Sequence, residues 1–324
     1  MRTALSFALM LFGASLCFGA DVYPSKPVRM VVPFAPGGGA DLIARLISQP
    51  LAEQLGRPVI VDNRPGASGK IATELVAKSV PDGYTLLLAE PGFVTNPSLF
   101  KSLPYDAIKD FTPISHFLRD TNLLVVTPSI NISTLKDFIA LARANPGKYN
   151  YGASAVGSSN HLTAELFKAA AKLNVAHISY SGGGGEAITA LLGGQIQMLF
   201  STIPTLISHV KSGKLRALAV TTDGKRSLAM PEVPSFSEAG LPGMAVYAWT
   251  GLIGPARMPR EVVNKLHVAL VRTVALPSVN EKYIAMGGER ELVASGPEDF
   301  SLYLRNELQR WAEVVKSAGI TVQQ

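Results

Sequence analysis

Val28-Arg29-Met30-Val31-Val32-Pro33, followed by Phe34-Ala35-Pro36-Gly37-Gly38-Gly39 and then Ala40-Asp41-Leu42-Ile43, is the stretch on which the fold turns. Its first six residues are an apolar, β-branched run of strand length. Three glycines end the run, and from Ala40 to Leu55 the apolar residues Leu42, Ile43, Leu46 and Leu51 fall at helical spacing. The stretch therefore predicts strand, glycine turn, helix. The unit recurs at once: Val59 to Val61, the turn from Asn63 to Gly69, and a helix from about Ile71 to Lys78. Pro81-Asp82-Gly83 then turns the chain into a third strand, Thr85 to Ala89. Strands alternating with helices at this spacing imply a mostly parallel α/β sheet.

A further strand is predicted at Leu123 to Thr127, after which the pattern begins afresh with a helix from Leu135 to Arg143 and a strand at Tyr149 to Tyr151. Two more turns follow, Gly152 to Ser159 and Ser181 to Gly185, each opening a helix, then strands at Met198 to Phe200 and Arg216 to Val220. The Pro-rich stretch from Pro231 to Pro242 reads as a surface connection, and Val246 to Ile253 as an extended return segment. Pro259 suits the start of a helix over Val262 to Val274, and Ser295 with Glu298 makes a capping box for a last helix up to Ala318. A chain of 324 residues is long enough for two packed units. The expected division is a leader over residues 1–20, a first lobe from residues 21–122 and 248–324, and a second from residues 123–247.

Residues 1–20 carry the pattern of an export signal: Arg2, an apolar run from Ala4 to Phe12, and small residues from Ser15, with cleavage after Gly19 or Ala20. Cys17, the only cysteine, lies inside that leader, so the mature chain would have no thiol, disulfide or thiolate metal site. A chain with no cysteine to protect suits an oxidising compartment such as the periplasm. The net charge of +6 becomes +5 once Arg2 is removed, and the basic residues are scattered, which argues against a nucleic-acid partner.

The chemistry points to anions. The first N–H groups of a helix have no internal partner and sit at the positive end of its dipole, so a turn opening a helix suits a carboxylate or phosphate. Four such turns, two in each expected lobe, would gather where doubly wound sheets bind their ligands. None ends in Gly-Lys-Ser/Thr. Gly182, Gly184 and Ala187 fit the dinucleotide spacing, but no acidic residue ends the next strand at Phe200 and Ser201, so no nicotinamide or flavin cofactor is expected.

No enzyme signature accompanies these turns. His116, His161, His177, His209 and His267 are never within one helical turn of each other, and no Gly-x-Ser-x-Gly elbow is present. His161, following Ser158 and Ser159 at a helix start, either packs that turn or donates a hydrogen bond to a ligand. Asp41 suits a helix N-terminus and, compatibly with that, is placed to accept hydrogen bonds that fix the Gly37 to Gly39 turn. Glu90, ending a strand, is either solvated or faces the cleft, where it would repel a carboxylate unless paired.

The chain resembles the Bug receptors, the extracytoplasmic solute receptors of tripartite tricarboxylate transporters, from about Tyr23 to Ile320. The resemblance rests on the segment from Val32 to Asp41 with Arg45, Val61 to Gly69, Pro81 to Thr85, Gly213 to Val220, and Pro231 to Gly240. It implies a type II periplasmic-binding-protein fold, two α/β lobes joined by two crossing hinge segments that close over one small carboxylic acid. Carried over by position, it places Phe34, Gly38, Gly39 and Asp41 at the ligand, beside Ala67, Ser68 and Gly69. Ser154, Gly157, Ser158, His161, Tyr180 and Gly182 would face them from the second lobe. Two departures stand out. The turn from Gly182 to Gly185 has more glycine than is usual, and Ser201 stands where many relatives have Asp. If that Asp meets an ammonium group, its absence disfavours amino-acid ligands.

The resulting expectation is a monomeric periplasmic receptor that captures a small organic acid and delivers it to transporter membrane subunits. A receptor feeding a sensor kinase, or a periplasmic enzyme on the same fold, are the alternatives.

Overall fold

The computed structural model describes residues 23–180, 183–222, 224–288 and 294–317. The elements run β1 (Val28–Val32), α1 (Gly39–Leu55), β2 (Val59–Asn63), α2 (Lys70–Ala77), β3 (Thr85–Ala89), α3 (Pro91–Leu99) and β4 (Phe111–Val126). They continue with α4 (Leu135–Ala144), β5 (Asn150–Ala153), α5 (Ser159–Ala171), β6 (Ala176–Ser179), α6 (Gly184–Leu192), β7 (Met198–Thr202), α7 (Ile203–Lys211) and β8 (Arg216–Val220). The chain closes with β9 (Tyr247–Pro255), α8 (Arg260–Val274), α9 (Pro277–Ala285) and α10 (Pro297–Ser317).

The strands lie in the order β2-β1-β3-β9-β4-β7-β5-β6, with β8 also paired to β4. β1 is parallel to β2 and β3, as strands joined by helical crossovers must be, while β9 runs antiparallel between β3 and β4. β4 belongs to both halves. Its residues from Phe111 to Thr121 pair with β9, and those from Asn122 to Val126 pair with β7 and β8. The two halves therefore meet where Thr121 lies opposite Tyr247.

Helices cover both faces of each half, which is why the strands are continuously apolar instead of alternating. The side chains of β1 alternate between two cores: Met30 and Val32 pack beneath α1 and α8, whereas Val31 packs with Val76 of α2 and Phe300 of α10. Leu124 and Leu123 of β4 divide in the same way between the α4–α5 core and the α6–α7 core. Losing a buried ring such as Phe200 from one of these cores costs about 3–5 kcal/mol.

The strand predicted from Leu123 is the end of a much longer one. The first part of β4 holds buried Ser115, His116, Asp120 and Thr121, and its register against β9 shifts twice, so no apolar alternation announces it. Helix α3 was not expected from the sequence. It contains Pro97 and buries nearly every side chain, so it shows no separate polar face.

Candidate functional site

The glycine turn after β1 has a built-in brace. Asp41, in the first turn of α1 and 3% exposed, accepts the backbone N–H of Gly37 at 3.0 Å, Nε of Arg45 at 2.9 Å and Nδ2 of Asn63 at 3.1 Å. Burial alone would raise its pKa, but the hydrogen bonds from Arg45, Gly37 and Asn63 outweigh it and hold the carboxyl below the usual range. Asn63 also donates to the carbonyl of Phe34, tying the turn to the end of β2.

The facing turn is braced by an imidazole. His161, 5% exposed, accepts the backbone N–H of Gly157 through Nδ1 and packs beside Tyr151 and His177. Burial, then the neighbouring His177, pushes its pKa down to about 3, so the ring is neutral and available as an acceptor. Next to it, Oδ1 of Asn160 accepts from Ser154 Oγ, Ser158 Oγ and the His161 N–H. The Asn160 amide nitrogen makes no hydrogen bond among the described residues. Asn122, at the crossing in β4, donates toward Ser159, Thr163 and the carbonyl of Val246.

Between these turns lies a cavity of about 80 Å³. A single buried water needs about 10–15 Å³ by that measure, so there is room for a few waters or the polar head of a small guest. Gly38, Gly39 and Ala40 of α1, Ser158, Ser159 and Asn160 of α5, Gly184 of α6, and Glu90 with Pro91 of α3 bring helix starts to its wall. Ser201 and Thr202, at the end of β7, complete that wall, with Thr202 capping α7. No lysine or arginine lines it among the described residues. The halves are shut against each other here: a Cβ on Gly38 would lie 3.6 Å from the amide nitrogen of Gly184, and one on Gly185 would lie 3.4 Å from the Gly37 carbonyl.

Of the residues expected at the ligand, Phe34, Gly38, Gly39, Ser154, Ser158 and Ser201 line this cavity. Ser68 and Gly69 line a second cavity of about 10 Å³, which shares Phe34 and Glu90 with the first. Asp41, Gly157 and His161 stand behind the wall and hold its turns. Ala67 is exposed, and Tyr180 packs beside Gly152. Gly182 and the leader lie outside the described residues. Sequence reasoning missed Asn122, Asn160, Thr202 and Ala248; a helix-start position was the available signal for Asn160 and Thr202. A larger groove of about 700 Å³ runs over the far side of the second half, past Pro128, Arg216 and Pro234, and none of these helix starts reaches it.

A shared central strand, two helix-covered half-sheets and a donor-lined cavity between them define a two-lobed solute-binding protein of the type II periplasmic-binding class. Residues 43–320 match the family model described as tripartite tricarboxylate transporter family receptor, and the chain belongs to that family. BugT of Bordetella pertussis is 35% identical over 310 residues, covering 95% of this chain and 94% of the relative. Rpa4515 of R. palustris, solved with adipate, is 35% identical with a TM-score of 0.88, covering 92% of this chain and 99% of the other. MatC from Rhodopseudomonas palustris, solved with bound malate, is 31% identical with a TM-score of 0.86, covering 90% of this chain and all of the other (100%). Solved members of this group are periplasmic binding proteins, and the family is one of solute receptors.

Proposed function

We propose that the chain is an exported periplasmic receptor that closes on a small organic carboxylate and delivers it to membrane subunits of a tripartite tricarboxylate-type transporter. One observation carries this reading: helix starts from both halves meet around one cavity that no basic side chain enters among the described residues. Enclosing a charged group is costly unless each of its oxygens finds a donor. Main-chain amides at Gly39, Ala40, Ser159, Asn160 and Gly184 supply donors that are already oriented, and the Ser154, Ser158 and Ser201 hydroxyls supplement them.

In this reading residues 21–122 with 248–324 form one lobe and residues 123–247 the other, and the protein opens and closes as a monomer about the β4–β9 crossing. The leader over residues 1–20 directs export. The adipate and malate of the related structures support a small carboxylic acid as the guest.

Thermal-shift screening of the mature protein against mono-, di- and tricarboxylates, aromatic acids, sugars and metal ions tests the reading. An acid at 100 times its dissociation constant adds about 2.7 kcal/mol of stability. Stabilisation by sugars or metals with none by any acid would contradict it.

A further inference from the structure

Glu90 follows Ala89, the last residue of β3, and precedes Pro91, the first residue of α3. It stands at the N-cap of that helix, yet its side chain makes no capping hydrogen bond. Its side chain lines both the main cavity and the smaller one behind Phe34, and it is the one titratable residue on either wall among the described residues. No described group hydrogen-bonds its carboxyl.

The surroundings offer it no counter-charge. From β4, Asp120 acts on it as a like charge and is itself hydrogen-bonded by the Tyr283 hydroxyl. α3 contains no charged residue. The turn after β1 contributes Phe34 to the shared wall, and the nearest acid of α1, Asp41, is committed to Gly37, Arg45 and Asn63. α5 contributes Asn160, with His161 behind it committed to Gly157, while β7 and β9 contribute Ser201, Thr202 and Ala248.

A carboxylate guest enclosed here brings a second carboxyl into one confined site without a counter-charge, and two such groups do not both stay ionised. A protonated carboxyl, by contrast, carries an O–H donor, and O–H to carboxylate is a charge-assisted hydrogen bond. We propose that Glu90 is a specificity-determining residue of the cleft, meeting the guest as the neutral acid and donating its O–H to a carboxylate oxygen. The inference rests on the carboxylate reading above. Glu90 keeps part of its surface open at the cavity wall, but enclosure between the halves, then Asp120, pushes its pKa up to about 8, so the neutral form prevails at pH 7. Ionisation above that value withdraws the donor and places an anion against the guest. A neutral Glu90, with Ser201 across the cavity, leaves an ammonium-bearing guest without a counter-charge.

The test has two arms. Carboxyl ¹³C NMR of the unliganded mature protein, with Glu90→Gln to assign the resonance, reads the titration directly. Calorimetry with adipate and with malate between pH 6 and 10, on wild type and Glu90→Gln, reads the consequence. The expected result is a Glu90 titration near pH 8 and a wild-type affinity that is level below pH 7. Above pH 8 that affinity falls toward tenfold per unit, whereas Glu90→Gln, which keeps an N–H donor and cannot titrate, binds with little pH dependence. A titration near pH 4 with both acids bound would overturn the role of Glu90 and leave the carboxylate reading standing. An alkaline loss shared equally by Glu90→Gln, or aspartate binding that Glu90→Gln abolishes, would also overturn it. If neither acid binds either protein, the carboxylate reading fails for these guests and the inference fails with it. The wild-type titration, with the resonance assigned through bonds from the Glu90 backbone, is decisive even if the variant folds poorly.

Discussion

Thr95, a buried residue of α3, donates its hydroxyl hydrogen to the carbonyl oxygen of Gly157 across 2.9 Å, joining the first half of the molecule to the ligand-side turn of the second. The bond exists only while the halves are shut, so it contributes to closure and not to the fold of either half. Thr95→Val keeps the shape and removes the donor. A hydrogen bond is worth about 1 kcal/mol net, so ligand affinity should fall about fivefold. Calorimetry reads the loss.

Gly38 has a backbone that any residue adopts, with φ −86°, so its constraint is space across the cleft. Gly38→Ala should bind ligand normally, because its Cβ would meet the Gly184 amide at an ordinary 3.6 Å. Gly38→Leu must instead hold the halves apart. Overpacking costs about 1–3 kcal/mol, which here is a loss of about 5- to 150-fold in affinity. Small-angle scattering with saturating ligand should show the variant more open than wild type.

Acid should weaken the protein through its buried imidazoles before it reaches the carboxylates. Burial, chiefly, holds His161 at about 3 and His116 at about 4. An unfolded histidine titrates at about 6.5, so below that pH the unfolded state binds more protons and stability drops by up to about 1.4 kcal/mol per unit for each ring. His161→Asn removes one of these protons from the balance. Urea denaturation between pH 7 and 4.5 should give a shallower acid slope for the variant than for wild type.

The pKa of Asp41 is displaced downward, so the stability it contributes is present above the usual Asp value of about 3.9 and is lost as pH falls through its lower folded value. Asp41→Ala leaves the Gly37 amide, Arg45 and Asn63 without their acceptor at every pH. The expected cost is about 1–3 kcal/mol of stability by denaturation, with weaker ligand binding because the Gly37 to Gly39 turn is no longer held.

The parts of the site that were legible are those encoded locally. Gly37 to Gly39, and Ser154 with Ser158, stand in short strand–turn–helix units whose glycine and hydroxyl residues announce both the turn and its donors. Asn122 was not legible because its place depends on Ser159, Thr163 and Val246, which are 37, 41 and 124 residues away. Glu90 was seen as a strand end, but whether it faced water or the cleft depended on α3. That helix hides in the sequence because burial on all sides erases its amphipathic pattern. The buried polar residues of β4 concealed the crossing strand for a similar reason, since their partners come from the return segment and not from neighbours in the chain.

The most direct measurement is amide NMR of the mature protein titrated with the acid that stabilises it best. If main-chain donors from both halves hold one guest, the N–H resonances of Gly39, Ala40, Ser159, Asn160 and Gly184 shift together in a single saturable process. Shifts confined to one half, or centred on the groove past Pro128, Arg216 and Pro234, would contradict the account.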